Sequence, residues 1–448
     1  MRVLSAVVVV AALLMSGCLS QSTNPASLPG VPDVAGAIQQ LAFAATTVVD
    51  AERIASEPSV KVAKDGTIFV AGPTGVIKYA TRPQDAIQHA DKGIFQGAIW
   101  RSLDGGASFE HLAGIGPLPV PYHTAQPGGG DSDIAIDGGG RVYVTDQFGL
   151  FTESVQYSDD NGATWTAATT TGSDIPPVDR QWLWPDPEQP GHLWMVYDGF
   201  TGMKVSESAD GGATWSAKTV SDTVSSPGPL VAIPGLLAFT MFANDQIVFV
   251  HSTDGGATWA EHPVGEGHGT INDFFPSTVA DAAGTVYVAW METDGDTSRV
   301  SYVYSKDLGE TWSENQVAFE QPGLGTFMWA VAGDAGRLGF SWYGAPDPAK
   351  EWWTEAGIVL GADTASPQRT QARVSEEPAR VGEPCTSGST CTSGRELGDF
   401  QQCAVTPDGD LVVAYVHVLS AEEGGRVTFA KVSAGPKLFD APPENWVV

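Results

Sequence analysis

The chain has 448 residues and a formal net charge of −30, with 23 basic against 53 acidic side chains. A field of that sign repels phosphate backbones and anionic lipid headgroups, which argues against nucleic acid as a partner. Its 52 glycines, 30 prolines and 14 tryptophans, with few strongly helical stretches, point to an all-β protein of short strands joined by turns.

The N-terminus carries Arg2, the apolar run "VLSAVVVVAALLM" and the small residues "SGC" ending at Cys18. This is the charged, apolar and small-residue order of an export signal. "LLMSGC" resembles a prokaryotic lipoprotein signal, with Met15 where leucine is more usual. The resemblance implies that residues 1–17 are removed, that Cys18 carries a lipid, and that residues 18–36 form a flexible tether. An ordinary secretory signal or an uncleaved anchor is the alternative, and each places the body outside the cytoplasm. No later segment has the roughly 18 uncharged apolar residues of a membrane span.

From residue 37 onward a hairpin pattern recurs, an alternating strand, a glycine or proline turn and a second alternating strand. It appears as "SVKVAKDGTIFVAG" (59–72), "DIAIDGGGRVYVTD" (133–146), "QWLWPDPEQPGHLWMVYD" (181–198), "PLVAIPGLLAFTMF" (229–242), "PSTVADAAGTVYVAW" (276–290), "MWAVAGDAGRLGFSWYG" (328–344) and "QCAVTPDGDLVVAYVH" (402–417). Five of these hairpins are followed by near copies of one string: "RSLDGGASF" (101–109), "YSDDNGATW" (157–165), "ESADGGATW" (207–215), "HSTDGGATW" (251–259) and "YSKDLGETW" (304–312). All fit S-x-D-x-G-x-[ST]-[WF], at the period of about 40 to 50 residues that marks one propeller blade.

These strings resemble the Asp-box, or BNR-repeat, propellers, a superfamily that includes the sialidases. The resemblance implies that each box is the turn between the third and fourth strands of a blade. Asp104, Asp160, Asp210, Asp254 and Asp307 are then structural: in the fourth box Asp254 accepts backbone N–H bonds, Gly256 takes φ > 0 and Trp259 buries its ring. Seven hairpins predict a single propeller of seven blades over residues 37–448, with six as the alternative. "IQQLAFAATTVV" (38–49) is expected to close the ring as a strand of the last blade.

In such a ring the boxes and first-hairpin turns share the lower face, so a site is expected on the upper one. Inner strands begin there at Asp131 and Asp133 in "GGGDSD", Asp179 and Arg180 in "VDRQW", Asp273 in "INDFF", and Arg395 and Asp399 in "RELGDF". Asp133, Asp179, Arg180, Arg395 and Asp399 are the catalytic candidates; Arg53, Asp131, Asp273 and Tyr343 are the candidate ligand contacts. Carboxylates with arginines suit a polar ligand such as a glycan or glycoprotein, and equally suit mutual pairing that caps strand starts.

Sialidase chemistry, as the resemblance implies it, needs three arginines, an aspartic acid and a tyrosine activated by glutamate. The family's first arginine lies in [FY]-R-I-P. Here only Arg53 and Ile54 of "ERIA" match, and no tyrosine and glutamate pair stands out. Two classes therefore stay open: a glycoside hydrolase of exo-sialidase-like type, or a non-catalytic binding or assembly module. Paired acids such as Asp133 and Asp179 would serve hydrolysis if about 5 to 10 Å apart.

The chain lacks a G-x-S-x-G elbow, a phosphate-binding glycine loop and H-E-x-x-H. "HPVGEGH" (262–268) has no usual metal-ligand spacing and "ETDGDTS" (292–298) misses the EF-hand order. No cofactor is expected, and calcium is supported by no specific motif. Cys385 and Cys391 are expected to form a small disulfide near Arg395, with Cys403 a buried thiol; a Cys391–Cys403 bridge is the alternative.

Overall fold

The computed structural model describes residues 38–51, 53–74, 97–112, 130–148, 152–166, 169–171, 177–265, 270–271, 275–386, 391, 393–420, 424–441, 443–444 and 446–447. The chain divides into two compact units, residues 1–32 and 33–448, and all described residues belong to the second. The export signal, the tether, Cys18 and Asp273 lie outside the described residues.

Seven antiparallel sheets follow one another along the chain, so the fold is an all-β propeller of seven blades. Strands A to D of blade 1 are Ser59–Val62, Ile68–Pro73, Gly97–Ser102 and Glu110–Leu112; those of blade 2 are Ser132–Ile136, Val142–Phe148, Thr152–Ser158 and Thr169–Thr170. Blade 3 comprises Val178–Pro185, Leu193–Gly199, Gly202–Ser208 and Ser216–Ser221, and blade 4 Val231–Ile233, Leu236–Ala243, Gln246–Ser252 and Ala260–Pro263. Blade 5 is built from Ser277–Ala280, Val286–Asp294, Thr297–Ser305 and Gln316–Pro322, with Thr270–Ile271 added beside its strand B. Blade 6 contains Leu324–Ala332, Arg337–Ala345, Glu351–Leu360 and Gln368–Arg373, with Arg380–Val381 pairing its strand C.

Blade 7 takes strands A to C from Gln402–Val405, Leu411–Ser420 and Gly424–Ala434. Its outer edge is covered by Ala42–Phe43 and Thr47–Val48 from the N-terminal end of the unit. The segment expected to close the ring does so: Phe43 lies opposite Val432 and Thr47 opposite Phe429. Closure pairs an edge that would otherwise present free N–H and C=O groups.

All five Asp boxes occupy C–D turns. In the fourth, the Thr258 N–H and hydroxyl donate to Asp254 at 2.9 and 2.6 Å, the Ser252 hydroxyl donates to Asp254 at 2.8 Å, and the Gly256 N–H donates to Ser252 Oγ at 2.8 Å. Asp104, Asp160, Asp210 and Asp307 repeat the Ser/Thr contacts. Two box aromatics dock on a ring of the preceding blade: Trp312 meets Phe249 of blade 4 edge-on at 5.0 Å, and Phe109 meets Phe429 of blade 7 at 5.4 Å. Gly309 shows why glycine is required at this contact: its φ is +93°, and a Cβ there would sit 2.5 Å from the Phe249 ring.

Boxes and A–B turns share the lower face and touch each other. The Gly211 N–H donates to Gly191 O at 2.8 Å, and Arg141 reaches Gly211 O at 3.1 Å and Asp159 at 2.6 Å. The B–C and D–A connections are therefore on the upper face, where the inner strands begin.

Candidate functional site

Four inner-strand starts bring their charged residues together on the upper face. Glu57 precedes strand A of blade 1, Asp131 precedes that of blade 2, Asp179 and Arg180 open that of blade 3, and Arg395 and Asp399 arrive on the connection into blade 7. Arg180 is the hub. Its guanidinium donates to Asp131 Oδ2 at 3.1 Å and to Asp399 Oδ2 at 2.6 Å, with Asp179 Oδ2 at 3.5 Å from Nε. Arg395 binds both oxygens of Asp399 and reaches Glu57 Oε1 at 3.4 Å. Gln147, at the end of strand B of blade 2, donates to Asp179 Oδ1 at 2.5 Å and to Val178 O at 2.9 Å.

Backbone strain concentrates in the same cluster. Glu57 and Arg180 hold φ of +48° and +62°, left-handed values that non-glycine residues rarely adopt. At Arg180 the A–B ladder of blade 3 shifts register between Asp179 and Trp182. Strain of this kind persists where the surroundings over-determine a conformation.

Charge in the cluster is unbalanced, with four carboxylates facing two guanidinium groups. Burial, reinforced by Glu57 and Asp399, pushes Asp131 up to about 8 although Arg180 opposes the shift. Burial raises Glu57 too, with the Asp399 carboxylate adding to the shift. Burial also works on Asp399, yet Arg180 and Arg395 hold it below the usual carboxylate range. Asp179 rises to about 6, chiefly through burial. It is the most open carboxylate of the four, with 28% of its side chain exposed against 2% for Asp399.

Beneath the ions the axis is filled by aromatic rings. Trp182 packs edge-on against Phe275, Trp329 and Phe400 at 5.3, 5.0 and 5.0 Å, and all four are buried. Phe275 also lies 5.3 Å under the Arg180 guanidinium. Trp182 and Trp329 stand in the inner strands of blades 3 and 6, and Phe275 and Phe400 just before those of blades 5 and 7; their meeting was not foreseen, although each lies within a few residues of an acidic or polar strand start: "DRQW", "NDFF", "TFMW" and "GDFQQ".

The remaining sequence candidates lie elsewhere. Asp133 is buried and accepts from Leu183 N–H at 3.0 Å and from Gln402 Nε2 at 3.2 Å, tying blades 2, 3 and 7 together. Arg53 pairs with Asp50 at 2.8 Å, and Asp50 also accepts from Trp100 Nε1 at 2.9 Å. Tyr343 is fully buried, its hydroxyl accepting from Val416 N–H at 2.8 Å. Cys385 and Cys391 form a disulfide, which removes the Cys391–Cys403 alternative, and Cys403 is a buried free thiol. The Cys385 N–H donates to Gly394 O at 2.8 Å, so the disulfide loop is closed directly beside Arg395. Among the described residues no group of three or more His, Cys, Asp or Glu side chains is arranged to hold a metal ion.

The BNR/Asp-box repeat family model matches residues 156–167, the box of blade 2. No curated protein matches the chain. Similar solved structures include a protein of unknown function from Dyadobacter fermentans (14% identity, 88% of this chain and 99% of that one, TM-score 0.48). Others are the intramolecular trans-sialidase from Ruminococcus gnavus (13%, 87% and 97%, TM-score 0.45) and an α-L-arabinofuranosidase from Fusarium graminearum (13%, 88% and 97%, TM-score 0.45). With five Asp-box turns in register between its C and D strands, the chain is a seven-bladed β-propeller that carries BNR/Asp-box repeats.

Proposed function

We propose that this is an exported propeller, lipid-anchored through Cys18, whose upper face binds a glycan at the cell surface. The observation that carries the binding role is the strained ionic cluster around Arg180, with Asp179 and both guanidinium groups partly open to solvent. A carboxylate accepts from sugar hydroxyls while an adjacent guanidinium donates to them, so the Asp179–Arg180 pair suits neighbouring hydroxyls on one ring. The lipoprotein-like "LLMSGC" string and the Cys385–Cys391 bond both favour an oxidising compartment outside the cytoplasm.

Binding without sialidase-type hydrolysis is the better reading. Both cluster arginines are already engaged by carboxylates, Tyr343 is shut in the core, and aromatic rings fill the axis. A second reading rests on Asp179 alone: a partly open carboxyl held at about 6 is suited to general-acid work on a glycoside. A glycan array and a fluorogenic glycoside panel, sialosides included, test both on the mature protein beside Asp179→Asn. Binding lost in the variant with no turnover in either supports the first reading. Turnover lost in the variant supports the second, and no binding to any glycan rejects both.

A further inference from the structure

The apolar interface between blades 1 and 2 ends, at its upper edge, in polar side chains without hydrogen-bond partners. In strand A of blade 1, Val60 and Val62 pack with Ala404, Val412 and Ala414 of blade 7, so alternation turns Ser59 towards blade 2. In blade 2, Ile134, Ile136, Val142 and Val144 pack with Phe69, Ala71 and Ile99 of blade 1. The same alternation turns Ser132 and Asp146, direct cross-strand partners, towards blade 1. Ser59, Ser132 and Asp146 therefore cap one apolar stack from its two sides.

All three are sealed from solvent, with exposures of 0, 1 and 1%. Among the described residues neither serine hydroxyl finds a hydrogen-bond partner, and neither do the two oxygens of Asp146. The Gly97 N–H approaches the carboxyl without reaching hydrogen-bond geometry, and among the described residues no lysine or arginine forms an ion pair with it. The Gly97 backbone packs directly against the carboxyl: a Cβ on Gly97 would lie 2.6 Å from Asp146 Oδ1. Buried polar groups are normally satisfied, so three unsatisfied ones on facing surfaces mark a place for a ligand.

We propose that Asp146, with the hydroxyls of Ser59 and Ser132, forms a binding site for a hard divalent cation of the calcium class between blades 1 and 2. Every free atom there is oxygen, the donor type that such ions select over nitrogen and sulfur ligands. The ion supplies the positive charge that Asp146 lacks. It also ties the first two blades together across the interface. One carboxylate and two hydroxyls make a low-charge ligand set, which places the affinity near the weak end of calcium sites, at about 10⁻⁴ to 10⁻³ M. The site lies apart from the Arg180 cluster and does not depend on the glycan reading.

The test is thermal unfolding and calorimetric titration of the full mature protein at pH 8 with CaCl2, in 0.15 M NaCl so that diffuse binding to the acidic surface is screened. A saturable rise in Tm is expected that is abolished in Asp146→Asn, with Ser132→Ala weakening Kd several-fold while leaving the metal-free Tm close to that of the wild type. Absence of a saturable shift with Ca2+, Mg2+ or Mn2+ overturns the proposal. So does a shift of undiminished size in Asp146→Asn, which would assign the ion to another acidic group. A pH dependence removed by Asp146→Asn without any metal effect also overturns it, because the carboxyl would then hold only a proton.

Discussion

Asp254 accepts bonds from the Thr258 N–H, the Thr258 hydroxyl and the Ser252 hydroxyl, and these bonds hold it near pKa 2 although the side chain is exposed. Its work is local: it fixes the turn that presents Trp259. Asp254→Ala is expected to lower Tm while leaving upper-face ligand binding unchanged, and binding lost in a still-folded variant would contradict that division of labour. Arg180 is the opposite case. It faces Asp131 and Asp399, whose side chains are 6 and 2% exposed, and removing one partner leaves buried charge uncompensated. Arg180→Ala should cost about 3–5 kcal/mol in denaturant unfolding, and the double variant with Asp399→Ala should cost less than the sum of the two single ones. Strict additivity would mean that the two side chains are not coupled.

At the scale of strands, the repeat made much of the fold legible. The seven hairpins appear where period-2 alternation and turn residues place them, and the N-terminal strand takes the edge that ring closure left open. What the sequence concealed is convergence across blades. Trp182, Phe275, Trp329 and Phe400 are up to 218 positions apart, and no local pattern says that their rings meet on one axis. Arg180, Arg395 and Asp399 were legible as polar strand starts. That the two guanidinium groups would be absorbed by carboxylates was not, because pairing depends on three-dimensional approach. The same logic separates Asp133, a staple between blades, from Asp131 two residues earlier, which faces the ions. The closing strand gives an element-scale test: deleting residues 38–49 exposes the edge of Gly424–Ala434, so the truncated protein should lose its cooperative melt and self-associate. Light scattering and size exclusion read this directly, and a monomer with unchanged Tm would show that the strand is dispensable.

Over the whole molecule, the buried carboxyls set the pH response. Burial raises Asp131, Asp146 and Asp198 to about 8, Glu355 to about 7 and Asp179 to about 6. A carboxyl whose pKa is higher folded than unfolded binds more protons in the native state, so its contribution is complete below about pH 4 and is lost as pH rises through the folded value. The box aspartates act in the other direction: Asp104, Asp160, Asp254 and Asp307, held near 2, contribute above about pH 4 and lose that contribution only as the solution approaches pH 2. His111 and His251, lowered chiefly by burial, weaken the fold as pH drops below their ordinary value, but His111 is exposed, His251 is only partly buried, and the raised carboxyls outnumber the two imidazoles. The balance puts maximum stability in mild acid, so Tm should be higher at pH 5 than at pH 8.5. Protonation also relieves the repulsion of a chain carrying −30, and measuring in 0.5 M NaCl screens that surface contribution while leaving the buried one. Asp198→Asn should flatten the alkaline decline, since an amide has no proton to lose there. A Tm that is level or rising between pH 5 and pH 8.5 in high salt would mean that these carboxyls are ionised in the native protein, with positive charge supplied to them from solution.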